Sequence, residues 1–140
     1  MKRGDAAAPD AVAWASAARL WEGDACAQAL GMVLEHVGPG SARLAMPVRD
    51  DMANGHGIAH GGMVFALADA AFAYACNAHG ERAVAAHCAL TFLRPGRVGD
   101  RLVARAAEVA REGRSGLYDV TVSVEGRTIA AFRGHSRTVR

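Results

Sequence analysis

The spacing of hydrophobic and polar positions changes several times along the chain, and each change predicts an element. Trp14, Ala17, Ala18 and Trp21 recur at i, i+3, i+4 and i+7, the stripe of an amphipathic helix that Asp10 is placed to cap. Residues 1–9 ahead of it read as a loose tail. Asp24 starts a second short helix over residues 25–30, and Gly31 stops it. The period then drops to two. Val33, Glu35 and Val37 alternate with Met32, Leu34 and His36, Gly38-Pro39-Gly40 makes a turn, and Leu44, Met46 and Val48 alternate again, which predicts a β-hairpin. Residues 49–60 form a polar, glycine-containing loop of the kind that often carries function.

Residues 61–77 are apolar all round, with six alanines among Met63, Val64, Phe65, Leu67, Phe72 and Tyr74, and predict a buried helix that surrounding backbone can approach closely. His79-Gly80 is its expected end. Four strands follow, over residues 83–94, 98–110, 115–125 and 127–138. The third is the clearest: Tyr118, Val120, Val122 and Val124 face one way, Asp119, Thr121 and Ser123 the other. Pro95-Gly96 and Glu125-Gly126 supply turns. One long helix against an antiparallel sheet of about six strands is an α+β architecture, the hotdog arrangement, in one domain over residues 10–140.

Composition narrows the classes. With 140 residues, 51% hydrophobic and 21% charged, the chain is neither disordered nor too short for a core. Its longest apolar run, residues 63–76, contains Asp69 and falls short of the roughly 20 residues a membrane span needs. Asp5 and Asp10 interrupt any signal peptide. Three cysteines, Cys26, Cys76 and Cys88, without a CxxC pair, fit free thiols in a reducing cytoplasm. Residues 1–70 carry a formal charge of −3 and residues 71–140 a charge of +5, and all eleven bases of the second half are arginines. Arginine suits phosphate recognition, but with neither a basic run nor interleaved aromatics no nucleic-acid surface is expected.

Three features point to chemistry. Asp69 is a carboxylate amid Phe65, Ala66, Leu67, Ala68, Ala70 and Phe72, where an unpaired charge is costly; in an apolar cleft it can serve as general base or nucleophile, and the alternatives are an exposed stripe or an arginine partner. His60-Gly61-Gly62 opens the same helix, and its free N–H groups suit an oxyanion hole, though a GG pair alone is more often a tight turn. Gly61 and Asp69 stand eight residues apart, about 12 Å along a helix, too far for one carbonyl to meet both. If both act, one subunit's Asp69 must work with another's Gly61. His56 and His60 are four apart, but the glycines around them argue against helical metal ligands, and no metal is expected. His87 reads as a core or interface histidine. No GxSxG, GxGxxG or Walker loop is present.

Together, WEGDACAQALGM, NGHGIAHGGMVFALADAAFAYACNAHG, TFLRPGRVGD and FRGHS closely resemble the PaaI-type hotdog thioesterases of phenylacetic acid degradation, over residues 14–137. The resemblance implies hydrolysis of acyl-CoA thioesters, aryl-acetyl and hydroxylated aryl-acetyl ones above all, without metal or organic cofactor. It implies that Asp69 is the catalytic carboxylate, that the Gly61 N–H polarises the thioester carbonyl, and that Asn54 and His60 belong to the site, His60 in a positioning role. Gly62 and Phe65, with Met63 and Tyr74, would shape the substrate pocket, and Arg94, ahead of Arg97 and Arg133, would meet the CoA phosphates. It also implies a homodimer with shared sites and dimers that pair into tetramers. Ala73 stands where some relatives carry Thr or Ser, and Ala85 and Ala86 where some carry Ser, which leaves water positioning, and base against nucleophile, open. The competing functions are a non-catalytic acyl-CoA binding module and a hotdog hydratase or dehydratase, the latter disfavoured because an HFPG-like loop is missing.

Overall fold

The computed structural model describes residues 2–140, with side chains from residue 8 onward. Three helices and six strands follow in the order α1 (Lys2–Gly23), α2 (Ala25–Ala29), β1 (Val33–Gly38), β2 (Ser41–Pro47), α3 (Gly61–Cys76), β3 (Ala83–Phe92), β4 (Arg101–Glu112), β5 (Ser115–Val124) and β6 (Arg127–Thr138). The strands form one antiparallel sheet in the order β1-β2-β4-β5-β6-β3. This is the hotdog arrangement: the sheet curls around α3, which lies chiefly against β2, β4 and β5. Among the described residues no helix is long and apolar enough to cross a membrane.

The alternation read from the sequence sets the inner face. Leu44 and Met46 of β2, Leu102 and Ala104 of β4, Tyr118, Val120 and Val122 of β5, and Ala130 and Phe132 of β6 are buried against α3. Ala68, Ala71 and Ala75 let the helix sit close, and at Gly134 a Cβ would stand 2.7 Å from the Phe72 ring, so the strand must be bare there. Gly38-Pro39-Gly40 turns β1 into β2. Glu125 and Gly126, both at positive φ, close the β5–β6 hairpin in the mirror-image turn that matches strand twist.

Three expectations are corrected and a fourth is narrowed. The first helix begins at Lys2, not after Asp10, and carries Pro9 within it; the alanine-rich stretch at residues 6–8 favours helix over tail, and Asp10 therefore caps nothing. Helix α3 ends at Cys76 rather than at His79-Gly80, because the Asn77 side chain donates to Ala73 O at 2.9 Å and to Ala83 O at 3.1 Å, and accepts from Ala83 N at 3.0 Å. Nor is α3 buried all round: Gly62, Ala66, Asp69, Ala70 and Ala73 form a stripe open to solvent or half-buried. Alanine reads as apolar yet covers little surface, so hydropathy alone hides that stripe. Of the two readings of His87, core or interface, the core one falls away: it stands exposed on the outer face of β3, opposite His135 of β6.

Strand β3 is an edge. Most of its residues are exposed, and its outer side pairs with nothing among the described residues.

Candidate active site

The loop before α3 is built to deliver that helix's first turn. Asn54 organises it: its Oδ1 accepts the His56 N–H at 2.9 Å and the Ile58 N–H at 3.3 Å. Ala53 and Ala59 bridge, Ala59 N donates to Gly96 O at 2.8 Å, and His60 N donates to Met52 O at 2.7 Å. His60 is the N-cap of α3, and its Nδ1 accepts the Gly62 N–H at 2.9 Å. The N–H groups of Met63 and Val64 turn back to His60 O. Only the Gly61 N–H in this first turn makes no hydrogen bond among the described residues. It sits at the positive end of the helix, where an oxyanion is favoured.

Beside Gly61 lies the Phe92 ring: a Cβ on Gly61 would stand 2.9 Å from its Cζ, so a side chain there would push the ring aside. Phe92 is nevertheless 56% exposed. Asn54, Gly61, Phe92 and Arg94 line one cleft of about 400 Å³. Sequence reading placed Phe92 only as a strand residue; its position two residues before Arg94 in the TFLRPG stretch was the available signal.

Asp69 opens elsewhere. It lies on the half-buried stripe of α3 and lines a second cleft, of about 520 Å³, walled by Arg19 of α1, Asp24 at the link, Cys26 of α2 and Met32 just before β1, with Ala66 and Ala73 on its own helix. It makes no ion pair or hydrogen bond among the described residues, so the arginine-partner alternative is absent. Burial, and then the charge of Asp24, hold its carboxyl above the ordinary aspartate value. The structure thus brings Asn54, Gly61 and Arg94 together and sets Asp69 apart, in agreement with the spacing of about 12 Å along the helix.

The remaining candidates fall into place around these two clefts. Gly62 is exposed but its N–H is taken by His60. Phe65 lines neither cleft; it packs edge-on against Phe132, ring centroids 5.5 Å apart, at the margin of the core. Tyr74 is buried behind Asp69, its hydroxyl donating to Asp24. Arg133 is bound to Asp119 through two hydrogen bonds on the outer face of the sheet, so its charge is already matched, and Arg97 lines neither cleft. Cys76 is a packing residue, its thiol pushed up to about 12 chiefly by burial.

Known proteins resemble this chain over most of its length. The model of the thioesterase superfamily matches residues 56–131, which include the α3 N-terminus and Asp69. The acyl-coenzyme A thioesterase PaaI of Escherichia coli is 46% identical over 129 residues, covering 91% of each chain. A putative esterase of Deinococcus radiodurans is 41% identical over 111 residues, 77% of this chain and 75% of its own. The solved structure of the E. coli PaaI protein, from the phenylacetic acid degradation operon, superposes with a TM-score of 0.92 at 43% identity, over 94% of this chain and 96% of that one.

Proposed function

Since the chain belongs to the thioesterase superfamily, in its PaaI-type branch, we propose that it hydrolyses aryl-acetyl-CoA thioesters to the free acid and CoA. The observation that carries this reading is the pairing of an unbonded Gly61 N–H at a helix N-terminus with an unpartnered carboxylate, Asp69, two turns further on. The thioester oxygen accepts the Gly61 N–H, which stabilises the negative charge that builds there as the carbonyl carbon is attacked. Asp69 takes a proton from the attacking water as the new C–O bond forms. The tetrahedral intermediate then collapses, the C–S bond breaks, and the sulfur leaves with its bonding electrons as the CoA thiolate. Asp69 acts here as the base, a role its raised basicity suits.

Because Gly61 and Asp69 line separate clefts, the site is assigned to two subunits, with Gly61, Asn54 and Arg94 from one and Asp69 from the other. The free edge of β3 is the surface for the second copy; its exposed backbone groups can extend the sheet across a two-fold axis. The outer sheet face, with an open depression of about 470 Å³ lined by His87, Leu117 and His135, is assigned to pairing of dimers into tetramers. Arg94, exposed at the rim of the Gly61 cleft, meets the CoA phosphates, and His60 positions the helix end. Three free thiols support a reducing cytoplasm as its location.

The test is steady-state CoA release from phenylacetyl-, hydroxyphenylacetyl-, benzoyl- and medium-chain acyl-CoA by wild type and Asp69→Asn. Turnover of the aryl-acetyl thioesters is expected, with a loss of at least about 100-fold in the variant while CoA binding persists. Saturable binding without turnover by the wild type would make the protein an acyl-CoA binding module instead.

A further inference from the structure

Asp69 does not face its cleft alone. Asp24, at the link between α1 and α2, lines the same cavity. Its carboxylate is anchored on both oxygens: Oδ1 accepts the Ala27 N–H at 3.0 Å, and Oδ2 accepts the Tyr74 hydroxyl at 3.0 Å. The first bond is the N-cap of α2 and needs no further account. The second is not required for capping. It comes from a residue 50 positions away, on the helix that carries Asp69, and Tyr74 is itself 1% exposed and packed against Trp21. Asp24 is therefore tied to α3 and cannot swing out to solvent without breaking a buried hydrogen bond.

We infer that Asp24 is a positioning residue for the hydrolysis proposed above, a fixed negative charge across the cleft that keeps Asp69 a strong enough base to take the proton of water. The inference rests on the reading of Asp69 as the base. Two carboxylates that share a partly desolvated cleft make each other's ionisation costlier, because each charge is poorly screened from the other. Asp69 shows this in direction: burial raises its carboxyl most, and Asp24 adds to it.

The other groups around Asp69 do not supply that effect. Arg19 of α1 lines the cleft with the opposite sign, and its guanidinium reaches the Ser16 hydroxyl at 3.4 Å. Cys26 of α2 lines it too. Cys76 of α3 and Cys88 of β3 feel the Asp69 charge, but both thiols are shifted upward, by burial first, and stay neutral. The Tyr74 hydroxyl is likewise held protonated, by burial and then by the Asp24 charge, and it points to Asp24. Among the described residues Asp24 is the one like charge that bears on Asp69.

Asp24→Asn removes the charge and keeps an acceptor for the Ala27 N–H. The experiment compares kcat/KM for phenylacetyl-CoA against pH in wild type, Asp24→Asn and Tyr74→Phe, alongside a carboxyl 13C titration of Asp69 in each. In Asp24→Asn the acidic limb of the profile and the Asp69 resonance should both move to lower pH. Tyr74→Phe, which keeps the charge but frees it from its anchor, should move the limb to lower pH by less than Asp24→Asn does. A limb and resonance that coincide with wild type in Asp24→Asn would overturn the inference and leave Asp24 as a helix cap. If Asp24→Asn does not fold, Asp24→Ser keeps the cap without the charge and is read in the same way. Turnover that survives Asp69→Asn would instead defeat the base reading, while the 13C titration would still decide whether Asp24 acts on Asp69.

Discussion

At the scale of single residues, Asp69 is held at the expense of the fold. Its carboxyl is raised, by burial and then by Asp24, so the folded chain keeps this proton to a higher pH than the unfolded chain does. Below the ordinary value of 3.8 both states are protonated and the residue costs nothing. As pH rises from there through the raised value, the folded state comes to carry a desolvated charge that the unfolded state solvates freely, and stability falls. Asp69→Asn should therefore raise Tm at pH 7, with the gain disappearing in melts run below the ordinary aspartate value. A gain of equal size at both pH values would attribute the effect to the amide rather than to the lost charge. Asp69 was legible in the sequence because a carboxylate within an apolar helix has few inexpensive explanations. The sequence ranks Arg94 ahead of Arg133, yet nothing local shows that Arg133 meets Asp119 on the neighbouring strand. The surroundings of Phe65 and Phe92 are hidden for a related reason: an aromatic side chain's neighbours lie on other elements, Phe132 for the first and Gly61 for the second.

Among the elements, the N-terminus of α3 matters most, and it is set up for a decisive substitution. His60 sits at φ −59 and ψ 132, the extended backbone that a residue before proline prefers, and Gly61 is the first helical position, where proline is well tolerated. Gly61→Pro deletes the one unbonded N–H and asks only that the exposed Phe92 ring shift. The variant should keep a wild-type circular dichroism spectrum and lose on the order of 100-fold or more in kcat. Near-wild-type turnover would mean that the oxyanion donor lies elsewhere. Most elements were legible because their periodicity is local: α2 with its Asp24 cap and the β1–β2 and β5–β6 hairpins stand where alternation and turn residues put them. The errors fell at ends. Helix α1 runs on through Pro9, and Asn77 stops α3 through bonds that include Ala83, on the next strand.

For the whole molecule, the separation of Gly61 from Asp69 makes a prediction that no single protomer can satisfy. Asp69→Asn and Gly61→Pro subunits should each be inactive alone. Mixed, unfolded and refolded together at equal amounts, they form dimers of which about half are hybrids. Each hybrid pairs an intact Gly61 with an intact Asp69 at one of its two sites, so about a quarter of wild-type activity should return. If both groups of a site came from one subunit, every hybrid would carry two damaged sites and mixing would restore nothing. Native mass spectrometry, which resolves the small mass difference between the Asn and Pro subunits, confirms that hybrids have formed.

The sequence by itself determined the order and type of the elements, the residues of the inner sheet face, the free helix end at Gly61 and the lone carboxylate two turns on. Each of these depends on neighbours within a few positions, or on a period that repeats along the chain. The tertiary structure alone decided that α3 leaves a stripe open, that Asp24 and Asp69 share a cleft, that Tyr74 ties Asp24 to α3, and that Phe92 lies beside Gly61. Those are contacts between residues tens of positions apart, made when the sheet curls around the helix, and no local pattern of hydrophobic and polar residues encodes them.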